Sequence, residues 1–349
     1  MSFRFAVVGA GWYGCHIAAS FRSLGFDVTV FEANDDIMQC ASGNNQFRLH
    51  QGFHYARHHR TRIQSRDGFM RFMERYPHLS EKVENNLYAV PLRDSLIDYL
   101  TYRLIMTSSG IEFSEVSAEQ YGLANCAGAL LTHERKLLTN RAREYFRRRL
   151  DGCLRTGTPV QDMQQNDAGI ILNGERFDYA IDATWGGMGD LELPVFYEPT
   201  LLLYYEGAVG SFALTMVDGS LCSIYPTDRS DCYTLSSVPH TPLGQFDDMT
   251  SARACLSKID SKALKEKCVL MESQISRYYP QFSEQFKYLG PQLSIKTKIY
   301  GAEDDRSCYV AKKGKKFVVM SGKIDTIFYA ADTILSLIES ENEMEIERP

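Results

Sequence analysis

The chain has 349 residues, 44% of them hydrophobic, with a formal net charge of −6. That length predicts two domains and a sizeable core, and the acidic balance argues against nucleic acid as a bulk partner. No run of 18 apolar residues offers a membrane span, and the chain enters a core strand with no room for a signal peptide. Nine cysteines without a C-x-x-C pair predict reduced thiols in a cytoplasm rather than a disulfide frame or a zinc site.

Residues 5–32 read FAVVGAGWYGCHIAASFRSLGFDVTVFE, which predicts a strand, a glycine turn, a helix and a second strand. Gly9, Gly11 and Gly14 keep the G-x-G-x-x-G spacing. The first allows a sharp turn, the second a close approach of backbone to a pyrophosphate, and the third close packing of helix on strand. The helix N-terminus turns free N–H groups and a positive dipole end towards phosphate. Glu32, 18 residues past Gly14, is placed to accept hydrogen bonds from an adenosine ribose. The unit predicts dinucleotide binding; an accidental glycine-rich turn is the alternative.

Residues 40–55, CASGNNQFRLHQGFHY, follow as a Gly-, Ser- and Asn-rich loop able to wrap a ligand. Residues 61–76 predict a helix with Ile63, Phe69, Phe72 and Met73 on its apolar stripe. Short strands are expected at 87–90 and 111–113, around a helix near 94–108. A helix with a basic outer face is expected over 136–150. Residues 170–172 and 176–183 alternate as a hairpin ending in Asp182-Ala183-Thr184, and 200–238 hold several strands. A helix spans 250–278; strands follow at 292–300, 307–311 and 315–321, then a helix from 326 to 339. Lys312-Lys313-Gly314-Lys315-Lys316 reads as an exposed hairpin tip with Gly314 at a positive φ, and 339–349 as a fraying acidic tail.

Two further segments bear on the choice between FAD and NAD(P). FDYAIDATWGG (177–187) is a strand running into a broken Ala-Thr-Gly, with Trp185 before Gly186. VVMSGKIDT (318–326) is a strand, a glycine turn and a helix start. With residues 9–32 and 40–55, these segments in this order resemble the D-amino acid oxidase and glycine oxidase superfamily of FAD-dependent oxidoreductases. The resemblance runs along nearly the whole chain and is specific at 9–32. His50-Gln51-Gly52-Phe53-His54-Tyr55 resembles the His-x-Gly-x-x-Tyr loop of 2-hydroxyglutarate oxidases and their relatives. No Arg-Pro-x-x-x-Asp motif is present; Asp304-Asp305-Arg306 stands in that neighbourhood.

The resemblance implies an α/β fold: a Rossmann-like FAD-binding domain (1–86, 128–192 and 296–349) with a mainly β, α+β substrate domain inserted (87–127 and 193–295). It implies FAD contacts from Gly9, Ala10, Gly11, Trp12, Tyr13, Gly14, Glu32, Ala33, Ser42, Gly43, Asn44, Arg48, Leu49 and His50. Further contacts are implied from Ala183, Thr184, Trp185, Ser321, Gly322, Lys323, Ile324, Asp325 and Thr326. It also implies that Lys323 stabilises charge on the reduced flavin, and that hydride passes from a substrate C–H bond to flavin N5.

Within this frame Arg48, His50 and Tyr55 are expected on one side of a small anionic amine, amino acid or hydroxy acid, and Tyr225 or Arg306 on the other. Arg48 suits a substrate carboxylate and a cofactor phosphate equally, since its bidentate geometry serves both. His50 is the expected base. His50, His54, His58 and His59 lack an H-E-x-x-H frame, so no metal is expected. Arg57, Arg60, Arg62 and Arg66 read as a solvated helix face, as do Arg141–Arg149; His240 reads as a loop residue. Trp12 and Tyr13 are read as packing residues, and Tyr204, Tyr205 and Tyr233 as sheet packing. The electron acceptor, oxygen or another protein, stays open. So do a redox-neutral or reducing biosynthetic flavoenzyme and a non-catalytic dinucleotide-binding protein.

Overall fold

The computed structural model describes residues 3–166, 169–188, 193–301 and 305–346, with side chains as far as 340. Asp304 and the end of the tail lie outside these. The chain divides into two compact units. The first comprises 1–42, 140–194 and 306–349, and the second 43–139 and 195–305. Residues 43–86, 128–139 and 296–305, expected with the FAD-binding domain, cluster with the second unit, where the strands among them pair.

The first unit is built on a six-stranded sheet. Its order is Tyr309–Lys313, Lys316–Met320, Tyr179–Asp182, Arg4–Val8, Asp27–Phe31 and Leu154–Arg155. All pairs are parallel except the hairpin that adds Tyr309–Lys313 at the edge. Alternation along Arg4–Val8 assigns its two faces. Ala6 and Val8 join Phe31, Ile170, Leu172, Phe177 and Ala180 in one buried cluster. On the other face Phe5 packs edge-on against Phe21 of the Trp12–Ser23 helix, with ring centroids 4.9 Å apart. The expected hairpin over 170–183 ends earlier. Gly169–Leu172 pairs with Glu175–Phe177 around Gly174, and Tyr179–Asp182 then leaves it to lie beside Arg4–Val8. The lysine-rich tip between the last two strands turns at Gly314, with φ +58°.

The second unit carries an eight-stranded sheet with Phe286–Ile299 and Phe113–Val116 at its edges. Leu87, Leu201, Leu203, Tyr205, Leu214, Ile224, Tyr233 and Leu235 bury one face with Met271 and Ile275 of the Ser261–Ser276 helix. The register Tyr204↔Thr234↔Tyr225 puts hydroxyl-bearing residues on the opposite face. A small sheet joins Arg48–Leu49, Arg135–Leu137 and Ser80–Lys82. The helix expected over 250–278 is two helices, Met249–Ser257 and Ser261–Ser276. Asp260 forces the break, because its carboxylate accepts the Ala263 N–H at 2.8 Å and starts a new first turn.

Candidate active site

The first unit gathers four sequence segments around the N-terminus of the Trp12–Ser23 helix. Gly11 is its N-cap and brings no capping side chain of its own. Gly9 has φ +93° and donates its N–H to Phe31 O; a Cβ there would lie 3.1 Å from Ala183 O. At Gly14 a Cβ would fall 1.8 Å from Gly9 O, so only glycine lets the helix sit this close to the turn. At Gly11 a Cβ would lie 2.6 Å from Ser42 Oγ, which accepts the Trp12 N–H at 3.1 Å. Glu32 is buried at the end of the second strand. Its carboxylate accepts from Ala10 N at 2.7 Å and from Asn34 N and Nδ2 at 3.0 and 2.6 Å. The acid thereby ties the glycine turn to the strand that precedes Ala33.

Tyr13 does more than pack. Its hydroxyl donates to Lys323 O at 2.5 Å and lies 2.7 Å from Thr326 Oγ1. Ser321 Oγ meets Thr326 Oγ1 at 3.0 Å and accepts the Lys323 N–H at 3.2 Å. The Ser321–Gly322–Lys323–Ile324–Asp325–Thr326 turn is thus stapled to the glycine helix. Burial pushes the Tyr13 phenol well up, so it stays a neutral donor. Thr184 hydrogen-bonds Asp182 through both N–H and hydroxyl. Trp185, where the resemblance has glycine, takes φ +55°, and its indole lies against Gly322. Trp12 packs edge-on against Phe146, as expected. The basic face of the Thr139–Arg149 helix is not simply solvated. Arg143 donates to Ile37 O and Met38 O, and Arg147 pairs with Asp36. Arg306 belongs to this unit as well.

The second unit concentrates buried polar side chains around Arg48, which is 5% exposed. Its Nη1 donates to Tyr88 OH at 2.9 Å, and Tyr88 OH donates to Glu134 Oε2 at 2.7 Å. Glu134 is fully buried; its Oε1 accepts the Gln51 N–H at 2.7 Å and lies 3.9 Å from His50 Nδ1. The guanidinium stacks on the Tyr225 ring at 4.2 Å. Tyr225 OH donates instead to Arg135 O, so Tyr225 offers Arg48 a ring face rather than a hydroxyl. Burial pushes the Arg48 guanidinium down, but Tyr88, Tyr225 and Glu134 outweigh it. Burial pushes the Tyr88 and Tyr225 phenols up. Arg48 Nε and Nη2 are buried with no hydrogen-bond partner among the described residues. Leaving such donors unmet costs about 1–3 kcal/mol each.

The His50, His54 and Tyr55 rings adjoin one another, with centroids 5.3–5.8 Å apart. At Gly52, φ is +111° and a Cβ would lie 2.8 Å from Arg62 O, which explains the glycine of that motif. Leu49 is buried in the small sheet, while Gly43 and Asn44 are half-buried. Arg62 is not on a solvated face: buried, it donates to Ser109 Oγ, Tyr55 O and Ala56 O. His58 caps its own helix, accepting the Thr61 N–H. Glu134 and Tyr88 escape a reading by motif. One signal for Glu134 is a carboxylate in a short polar segment flanked by Leu130-Leu131 and Leu137-Leu138.

The first cradle fits a dinucleotide. A helix N-terminus faces a turn that backbone closes to a Cβ at Gly9 and Gly14, beside a buried acid. The family model for FAD-dependent oxidoreductases matches residues 4–285. The chain is 54% identical over 336 residues to a Fusarium mangiferae protein named FAD-dependent monooxygenase FPY4, covering 96% of this chain and 91% of that one. It superposes on glycine oxidase from Geobacillus kaustophilus with a TM-score of 0.73 at 16% identity, covering 97% and 95% of the two chains. It superposes on L-α-glycerophosphate oxidase from Mycoplasma pneumoniae, with FAD bound, with a TM-score of 0.74 at 12% identity, covering 97% and 95%. The chain belongs to the FAD-dependent oxidoreductase family, and its cofactor is FAD.

Proposed function

We propose that this member of the FAD-dependent oxidoreductase family oxidises a small anionic amine, amino acid or hydroxy acid whose carboxylate is held by Arg48. The observation that carries this reading is the buried Nε–Nη2 edge of Arg48, two parallel N–H donors without an acceptor. Such an edge matches a carboxylate bidentately and fixes the carbon beside it. In the first unit, Gly9, Gly11 and Gly14 with the helix N-terminus hold the FAD pyrophosphate, and Glu32 the ribose. The 183–185 and 321–326 turns complete the cradle. Bound FAD supplies a two-electron acceptor.

The chain's own residues do the rest. Arg48 binds and orients the substrate. His50, beside the Glu134 carboxylate, takes the proton at a ring nitrogen. Tyr55 and the Tyr225 ring line the group. Lys323 and the helix that follows the 321–326 turn favour negative charge on the reduced cofactor. Either oxygen or a protein serves as the final acceptor. The nine free thiols support a reducing, cytoplasmic setting, and among the described residues no helix is long and apolar enough to cross a membrane.

The name of the 54%-identical relative favours a second reading, in which one oxygen atom is inserted into the substrate. Turnover under ¹⁸O₂ separates the two: label in the product supports insertion, and unlabelled product with hydrogen peroxide supports oxidation alone. Arg48→Lys tests the anchor. Turnover lost with FAD retained supports it, FAD lost assigns Arg48 to phosphate, and no change removes the loop from the site.

A further inference from the structure

A buried guanidinium needs a counter-charge, and Glu134 is placed to supply one without occupying the unpaired Nε–Nη2 edge. Both its oxygens are engaged, Oε2 by the Tyr88 hydroxyl and Oε1 by the Gln51 N–H, so the carboxylate is held one phenol away from Arg48. It neutralises Arg48 through Tyr88, whose single hydroxyl accepts from the cation and donates to the anion. The Nε–Nη2 edge is left without a partner.

We propose that Glu134 is the resident counter-charge of the Arg48 site and a specificity-determining residue that restricts it to ligands with a single carboxylate. The inference rests on the reading of Arg48 as substrate anchor. Arg48 and Glu134 together contribute no net charge to a group excluded from water. One carboxylate adds a single negative charge there. A phosphate monoester carries about −1.5 to −2 at neutral pH and adds nearly twice that against the same fixed carboxylate. In a low-dielectric site that difference is felt strongly. The planar edge, with two parallel donors, also suits a planar two-oxygen acceptor. Glycerophosphate-type substrates are therefore disfavoured here, although the chain shares its fold with a glycerophosphate oxidase.

Glu134 touches neither substrate nor cofactor in this account; it is a positioning residue, and its signature is the sign of a charge effect. FAD-loaded wild-type protein, Glu134→Gln, Glu134→Asp and Tyr88→Phe are titrated calorimetrically with glycolate and with glycerol 3-phosphate. Wild type binds glycolate at least about tenfold more tightly than the phosphate ester. Glu134→Gln tightens both, the phosphate ester more, so that the preference collapses. Glu134→Asp restores it, because the charge returns. A purely structural role would weaken both ligands in Glu134→Gln, and that outcome, or an unchanged ratio, overturns the proposal. Should Glu134→Gln not fold, Tyr88→Phe decides. It removes the bridge but keeps both charges, so the preference survives with weaker binding of both, and its loss overturns the proposal. Arg48→Met isolates the underlying reading. If it leaves glycolate affinity unchanged, or if wild type binds neither probe at millimolar concentration, the anchor itself fails, whatever Glu134 does.

Discussion

The glycine cradle of the first unit and the Arg48 cluster of the second solve opposite problems. The cradle offers a ligand backbone N–H groups and a helix dipole, and its side chains are chiefly removed: at Gly9, Gly11 and Gly14 a Cβ would meet Ala183 O, Ser42 Oγ or Gly9 O. The Arg48 cluster offers full charges on long side chains, and those must be held by Tyr88, Glu134 and the Tyr225 ring. A site made of backbone is fixed once the chain turns correctly. A site made of buried charge is only as well fixed as the partners that balance it. The cradle is thus vulnerable to added volume and the cluster to altered charge.

Several substitutions probe that contrast. The largest effect is expected from Gly14→Ala, whose methyl would be driven to 1.8 Å from Gly9 O. Overpacking against rigid backbone costs about 1–3 kcal/mol or more. Flavin released on denaturation should fall to near zero and the melting temperature should drop; a variant that stays yellow and stable would break the contrast. Glu32→Gln comes next. Losing a charged acceptor should weaken FAD by about 1–3 kcal/mol, read from the dissociation constant by flavin fluorescence, and an unchanged constant would sink the assignment. Lys323→Met should leave FAD bound but lower the flavin reduction potential, measured against a reference dye; a potential that holds or rises removes Lys323 from that role.

Asp36→Asn should have the smallest effect. Burial raises the Asp36 carboxyl, but hydrogen bonds from Arg147 and the Ile37 N–H outweigh it and hold it below the usual range. A lowered carboxylate stabilises the fold above its unfolded value, about 3.9, and loses that contribution as pH falls through the lower folded value. For a largely exposed pair the loss at neutral pH is about 0.2–1 kcal/mol. Melting curves of Asp36→Asn and wild type should differ slightly at pH 7 and converge in acid; a gap that persists in acid would mean the pair is not its source.

The cradle was legible in sequence because its logic is local. Three glycines and an acid within two dozen residues encode a turn, a helix start and a strand end. Their spacing survives translation into structure. The unbroken apolar run Phe5–Val8 likewise foretells a strand buried on both faces. The Arg48 cluster was half legible. Arg48, His50 and Tyr225 were singled out, but Glu134 and Tyr88 were not. What joins them is strand register, Arg48 beside Lys136 and Tyr88 opposite Leu130, and register between distant segments has no signature in a single sequence. Tyr13 reads only as packing for the same reason, since its partners lie 310 residues and more along the chain. The break at Asp260 was readable in principle, as an N-cap inside a long helical pattern.

The strand order of the first unit has a consequence for how the protein is made. Arg4–Val8 and Asp27–Phe31 emerge first, yet Lys316–Met320, the parallel strand on the other side of Tyr179–Asp182, emerges roughly 300 residues later. At the usual translation rate of about 5–20 residues per second, the glycine turn exists for roughly 15–60 s before its sheet can close. For the last part of that interval, the roughly 130 residues between Asp182 and Lys316, the apolar edge of Tyr179–Asp182 is an unpaired strand. A nascent chain of this design is a natural client for chaperones, and its solubility on expression should depend on elongation rate more steeply than on the stability of the finished protein.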